Sequence, residues 1–363
     1  MPPLPPLPRF ARRIAPALLL AVAAGALARQ LQMPLPWLLG PLLAVASLRL
    51  AGAKLECPNG GRQLGQWLIA SALGLHFTPP VIAELAARAG PIVLIAAGSV
   101  GIGLLCALVL LRWAAVTPAT ALFAALPGGA SEMVVLAERG GAAVDRVAAA
   151  QALRVALVVL IVPFVFVHWA GNGTDLLPPP AAAAAPATLA VLLGVALVGA
   201  LLFARLRIAN AWMLGPIAAV GALTAGGVAL APPPAWAVNG GQLLLGVALG
   251  SRFTPSFFRA APRFLGVAAI ATGLTLLLCA AGSWLLAALS GVPLPSLALA
   301  AAPGGMAEMS VTAAVLHWSV PLVTATHVLR LALLTVGGPA LCGLFLRLPV
   351  VQALAARPNR RCP

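Results

Sequence analysis

Four motifs occur twice in this chain, in the same order. WLLGP at 37–41 returns as WMLGP at 212–216, ALGLHFTP at 72–79 as ALGSRFTP at 248–255, PGGASEM at 127–133 as PGGMAEM at 303–309, and QALRVAL at 151–157 as HVLRLAL at 327–333. The first pair is offset by 175 and the other three by 176, so order and spacing hold across nearly the whole chain. Self-similarity of this kind marks a duplicated structural unit. The expected organisation is therefore a first repeat over 1–177, a Pro/Ala-rich linker over 178–186 and a second repeat over 187–363.

Composition says where such a unit folds. Hydrophobic residues make up 62% of the 363 positions and charged residues 8%, against roughly 25% charged in soluble domains. A soluble fold of this length cannot bury so much apolar surface, so the chain reads as an all-α integral membrane protein with the lipid bilayer as its partner. The 36 Gly and 34 Pro belong inside the apolar segments, where membrane helices tolerate both. A net charge of +15 does not point to nucleic acid: Lys54 is the one lysine, and the basic residues stand singly between apolar runs, as in cytoplasmic loops. Cys57, Cys106, Cys279, Cys342 and Cys362 lie far apart in no metal-ligand spacing, and no metal or cofactor is expected.

Twelve apolar stretches approach the ~17–25 residues that span a bilayer: 14–30, 33–52, 63–79, 90–112, 117–138, 144–170, 186–204, 210–231, 239–254, 263–289, 296–316 and 320–346. The first, with Arg9, Arg12 and Arg13 ahead of it and small residues at its end, has the plan of a secretory leader. Ala28-Arg29 aligns with Ala204-Arg205 at offset 176, however, which makes it the counterpart of the seventh stretch, a structural helix.

Six crossings per copy would divide the positive charges 11 to 9 between the two faces. If the PGG-bearing segment of each copy instead enters and returns on one side, eighteen Lys and Arg face the side of the N-terminus and two, Arg29 and Arg88, the other, with Arg154 and Arg330 inside helices. Making the third and ninth segments re-entrant gives 15 to 5. Odd crossing follows either way. The expectation is two inverted-topology repeats of about five crossing helices plus one broken or re-entrant segment each, in the cytoplasmic (inner) membrane, with both termini cytoplasmic.

Pro127-Gly128-Gly129 and Pro303-Gly304-Gly305 interrupt apolar segments at corresponding places. Pro lacks an N–H and Gly permits unusual dihedrals, so the chain can unwind there and aim bare carbonyls and amides at a solute; close helix packing through small residues is the plainer alternative. Glu132 and Glu308 follow three residues later, in the first turn of a restarting helix. They serve either as caps favoured by the helix dipole or as sites for a coupling proton, a cation or a cationic solute. Arg154 and Arg330 lie inside the sixth and twelfth segments with Gln151 and His327 one turn earlier on the same face. Each needs a partner: an ion pair with Glu132 or Glu308, or an anionic solute. Trp37, Trp212 and the Phe-Thr-Pro turns at 77–79 and 253–255 read as structural.

The doubled PGG-x-x-EM, the WxLGP and the late Leu-Arg resemble the AbrB-type membrane protein family, a duplicated bacterial family whose members also carry an ammonia monooxygenase label. The resemblance covers essentially the whole chain. It implies regulation of gene expression on one reading. The residues favour a secondary transporter or exporter of a small solute, with a membrane-embedded regulator acting indirectly as the rival and a monooxygenase third. His76, His168, His317 and His327 fall on separate segments in no ligand motif, so no enzyme is expected. Nor does any polar stretch suffice for a DNA-reading element, and no P-loop occurs. A homo-oligomer is compatible with this reading.

Overall fold

The computed structural model describes residues 10–171, 173, 186–255 and 261–356, and among them the regular structure is entirely helical. The linker expected at 178–186 lies outside the described residues up to Pro186, where a helix begins. A short π-helical turn over Phe10–Ile14 leads into α1 (Ala15–Gln30), followed by α2 (Pro36–Leu50), α3 (Gly61–Gly74), α4 (Pro79–Ala87), α5 (Ala89–Trp113), α6 (Pro118–Ala125), α7 (Ala130–Arg139) and α8 (Val144–Trp169). The second half gives α9 (Pro186–Arg205), α10 (Ala211–Ala225), α11 (Ala235–Gly250), α12 (Pro262–Ser290), α13 (Leu294–Ala301), α14 (Met306–Val315), α15 (Val320–Arg347) and α16 (Pro349–Ala355).

Among the described residues six helices, one within each of Arg12–Gln30, Ala89–Trp113, Val144–Trp169, Ala187–Arg205, Pro262–Ser290 and Val320–Arg347, are long and apolar enough to cross a membrane, and Gly61–Gly74 with Pro79–Ala87, bent by 90°, are so only as a pair. Their outer faces carry bare hydrocarbon: Leu277 is 71% and Val336 83% exposed, as suits a bilayer and not water. The other apolar stretches form shorter elements than the sequence suggests. Helices α2 and α10 have 15 residues each, about 22 Å of helix against a hydrocarbon core of roughly 30 Å. Residues 117–138 and 296–316 are each broken into two short helices.

The duplication is visible element by element. Helices α6, α7 and α8 begin at Pro118, Ala130 and Val144, and their counterparts α13, α14 and α15 begin at Leu294, Met306 and Val320, all three at the offset that the later motif pairs share. Helices α2 and α10 correspond at the offset of the WxLGP pair that they carry.

The halves are not the compact bodies. One compact unit takes Met1–Pro79 with Pro178–Phe257, the other Pro80–Leu177 with Phe258–Pro363, so each draws on both repeats. In the first unit α2 packs on α11 and α3 on α10, a reciprocal exchange between copies. Helices α3 and α11 meet at Gly65 and Gly241, equivalent residues, where a Cβ on either would stand 2.7 or 3.0 Å from the other's carbonyl oxygen. Two core clusters share four equivalent positions: Ala17, Ala21, Val45 and Leu55 in one, Leu192, Ala196, Val220 and Leu230 in the other. The glycine of WxLGP serves close approach, since a Cβ on Gly40 would collide with the Ala24 carbonyl. Trp37 lies half-buried against Gly25.

In the second unit the exchange recurs. Helix α14 packs on α8 and α15 on α7; α5 packs on α12 and α15, and α12 on α8. Such reciprocity is what a two-fold relation between copies produces. All ten principal candidate residues of the sequence, with Gln151 and His327, fall in this unit.

Candidate functional site: two proline breaks held by arginines

The site is best built from the prolines. Helix α6 starts at Pro118 behind Thr117, whose side chain accepts from the Thr120 amide at 3.3 Å, and it ends where Pro127 forbids the helical conformation to Leu126. Leu126 is extended, φ −60° and ψ 131°, and Ala302 before Pro303 repeats this at −53° and 134°. Their carbonyls thereby leave the helical ladder. Pro127 also supplies no N–H to the Phe123 carbonyl four residues back. These acceptors lie in a buried segment and must be satisfied from elsewhere.

The long helix of the same copy satisfies them. Arg154 on α8, 3% exposed, donates from Nη1 to the Leu126 oxygen at 2.5 Å and from Nη2 to the Gly128 oxygen at 2.7 Å. Arg330 on α15, also 3% exposed, donates to Ala302 at 3.0 Å and to Gly304 at 3.2 Å. Every donor and acceptor in one pair of bonds is the repeat equivalent of its counterpart in the other. An ion pair with Glu132 or Glu308 is therefore not how these arginines are partnered; ion pairs such as Arg13–Glu56 and Arg88–Glu84 lie elsewhere.

The neighbours one turn earlier break the symmetry. Gln151 Nε2 donates to Phe123 at 2.7 Å and to Leu126 at 3.1 Å, replacing the N–H that Pro127 lacks. His327 has Nδ1 2.9 Å from the Val323 oxygen of its own helix, and its ring also faces the Ala302 backbone without a well-formed bond to it. A carbonyl only accepts, so Nδ1 carries the proton there. The Arg154 Nε, the Gln151 Oε1 and the His327 Nε2 are buried without a hydrogen-bond partner.

The motif PGG-x-x-EM can now be read residue by residue. A Cβ on Gly128 would stand 2.8 Å from Met133 Sδ, and one on Gly304 2.9 Å from Met309 Sδ, so the first glycine makes room for a buried methionine. The second makes room for the acid: the Glu132 carboxylate folds back over Gly129, and the Glu308 carboxylate over Gly305, each standing where a Cβ would. Both acids are half-buried in the first turn of the restarting helices α7 and α14, where the helix dipole favours them.

Sequence reasoning missed the receiving carbonyls of Leu126 and Ala302, although their position before Pro was a usable signal. It also missed the walls beside the arginines. Cys106, Leu110, Ala125 and Thr275 border a cavity of about 10 Å³ against Arg154, room for one water. Among the described residues no three of His, Cys, Asp and Glu gather as a metal site.

Residues 37–346 match the family model described as transition state regulatory protein AbrB. The chain belongs to the AbrB family. It is 27% identical over 321 residues to "Uncharacterized protein YhjN" of Bacillus subtilis (strain 168), covering 82% of this chain and 84% of that one. It is 25% identical over 311 residues to "Putative regulator AbrB" of Escherichia coli (strain K12), covering 85% and 89%. The family matched is the one the doubled PGG-x-x-EM resembled.

Proposed function

We propose that this AbrB-family chain is a secondary transporter or exporter of a small solute in the cytoplasmic membrane. Its repeats are inverted, both termini are cytoplasmic, and the two proline breaks line a site near the bilayer midplane. One observation carries the reading: each copy buries an arginine whose guanidinium bridges two carbonyls of its own break. Irregular backbone at membrane depth persists where it is enclosed by protein or lines a cavity, and paired broken helices are the transporter form of it. The division of positive charge, eighteen to two, supports inversion.

In this mechanism the long helices α8 and α15 carry the arginines, and the breaks move with them as units. Glu132 and Glu308, half-buried and free of a salt bridge to either arginine, take up the coupling proton or cation. We assign the chain no enzymatic chemistry. The name of the E. coli relative favours a second reading, a regulator; here it acts indirectly, through solute level or a membrane partner.

A proteoliposome flux assay separates the two. A transporter moves solute and loses flux in Glu132→Gln, Glu308→Gln or both, whereas a regulator moves none. Stoichiometric copper or iron in the purified protein would favour the monooxygenase label instead. Inversion has its own test: a reporter fused after Asp175, which lies outside the described residues, reports the periplasmic side, and a cytoplasmic signal contradicts it.

A further inference from the structure

In the first unit the two copies build the same loop, but one of them charges it. After α2 the chain leaves the helix through Gly52, at φ +100°, and runs as an unwound strap over 53–57 before α3 begins. Alternate side chains of the strap face opposite ways. Ala53, Leu55 and Cys57 pack in the cluster of Ala17, Ala21, Val45, Leu243 and Val247, while Lys54 between them is exposed. Glu56 ties the strap to the start of α1: its amide donates to the Arg13 oxygen at 3.1 Å, and its Oε1 accepts from Arg13 Nη1 at 2.5 Å.

Register brings a third cation to this place. Ala17 and Val45 share the cluster with Leu55, so the start of α1 and the end of α2 lie together. Arg13 stands one turn before Ala17 and Arg49 one turn after Val45, each on the face that carries the cluster residue. Arg49 is half-buried with its Nε enclosed and unbonded, and Lys54 makes no hydrogen bond or ion pair among the described residues. Three cations therefore gather at a strap whose one acid, Glu56, Arg13 already holds.

The fold does not need these charges. In the second copy Gly227 repeats the turn at φ +82°, and the bond from the Ala53 amide to the Leu48 oxygen at 2.9 Å recurs from Val228 to Leu223 at 3.0 Å. At the offset that relates the two core clusters, Arg13, Arg49, Lys54 and Glu56 correspond to Thr188, Thr224, Ala229 and Ala231. The same turn is made there without charge, so the cations of the first copy answer to something outside the chain. Leu48 and Leu50, on either side of Arg49, are 43% and 38% exposed. Hydrocarbon beside a cationic cradle suits a lipid and offers nothing to a free inorganic ion.

We propose that Arg13, Arg49 and Lys54 bind the phosphate headgroup of an anionic membrane lipid whose acyl chains lie along Leu48 and Leu50. Guanidinium forks and an ammonium suit phosphate oxygens, and basic side chains at a membrane surface draw anionic headgroups. The lipid supplies the negative charge that Glu56 leaves unmet and fastens the strap to the ends of α1 and α2. This needs the bilayer but not transport, and it holds whether or not the chain moves a solute. Orientation by positive charge alone asks only that the basic residues share a side; a lipid site makes Arg49 and Lys54 unlike the others.

The test is thermal unfolding of the full chain in uncharged detergent micelles doped with phosphatidylglycerol or with phosphatidylcholine of the same acyl chains, or supplemented with inorganic phosphate, at matched ionic strength. Phosphatidylglycerol raises Tm by about 2–4 °C over phosphatidylcholine, and high salt shrinks the shift. Arg49→Gln and Lys54→Gln each lose roughly fivefold in apparent affinity, and the double variant loses the shift. Lys54 is exposed and unbonded, so Lys54→Gln folds as the wild type does. Arg139→Gln, at an exposed position of the second unit, leaves the shift unchanged. No shift with phosphatidylglycerol, an equal shift with phosphatidylcholine, or a shift that survives the double variant overturns the proposal. An equal shift with inorganic phosphate overturns it in favour of a soluble anion, and an equal loss in Arg139→Gln in favour of general charge attraction.

Discussion

Arg154 donates to the Gly128 carbonyl at 2.7 Å, and Arg330, its equivalent in the second copy, makes the same bond to Gly304 at 3.2 Å. In each case the other Nη reaches the carbonyl before the proline, at 2.5 Å and 3.0 Å. A lysine ammonium cannot span two carbonyls as a fork does. Arg154→Lys therefore destabilises by about 1.5–3 kcal/mol, and Arg330→Lys, whose bonds are longer, by less. Chemical or thermal unfolding of the two variants side by side checks the order.

The neighbours predict a second asymmetry. Gln151→Leu strands the Phe123 carbonyl and weakens the hold on Leu126, costing about 1–3 kcal/mol. His327→Leu gives up one bond within its own helix and a poorly aligned approach to the Ala302 backbone, with an Nε2 that makes no well-formed bond. It lowers Tm less than Gln151→Leu; equal losses would show that the two breaks are held alike.

The Glu132 carboxylate and Gly129 compete for one place. Gly129→Ala pushes the carboxylate away from the start of α7. Because a carboxylate at the end of a flexible chain yields easily, stability falls by under about 1 kcal/mol, while flux falls as it does in Glu132→Gln. In the double variant Gly129→Ala, Glu132→Ala the two effects are not additive. Flux and Tm measured across the four proteins of the cycle decide it.

These particulars show how far the sequence reaches. The breaks were legible at Pro127 and Pro303 because proline acts through its own ring and missing N–H, without help from the fold. The restart at Glu132 and Glu308 was legible for the same local reason. The partners of Arg154 and Arg330 were not, because a carbonyl acceptor carries no side-chain identity and an acid four to six residues beyond the receiving carbonyls looks the more natural counter-charge. The division into units was equally hidden: α2 meets α11 and α3 meets α10 across the duplication, and such an exchange leaves no mark on hydropathy. The halves are repeats in sequence but not bodies in space.

Cys57 in the loop between α2 and α3 offers a test by pH. Burial pushes its thiol up to about 11 from an ordinary 9.0, partly offset by the Arg62 amide, and its Sγ lies 3.9 Å from the Leu244 oxygen. The neutral thiol is the favoured form in the fold, so this contribution is full below pH 9 and disappears as pH rises through 11. At pH 8 the thiolate fraction is about a hundredfold below that of an ordinary cysteine. Maleimide modification at Cys57, followed by mass spectrometry, stays slow in the folded protein and becomes fast on unfolding.

The central claim, that two arginine-held breaks form a solute path, is tested most directly by charge movement. Purified protein is reconstituted in proteoliposomes on a solid-supported membrane and given concentration jumps of small carboxylates, inorganic anions and cations. The account predicts a transient current with one of these solutes that disappears in Arg330→Gln and is reduced in Glu308→Gln. Folded wild-type protein that gives neither a current nor a change in lumenal pH nor uptake of any labelled solute, or signals unchanged by either substitution, would contradict it.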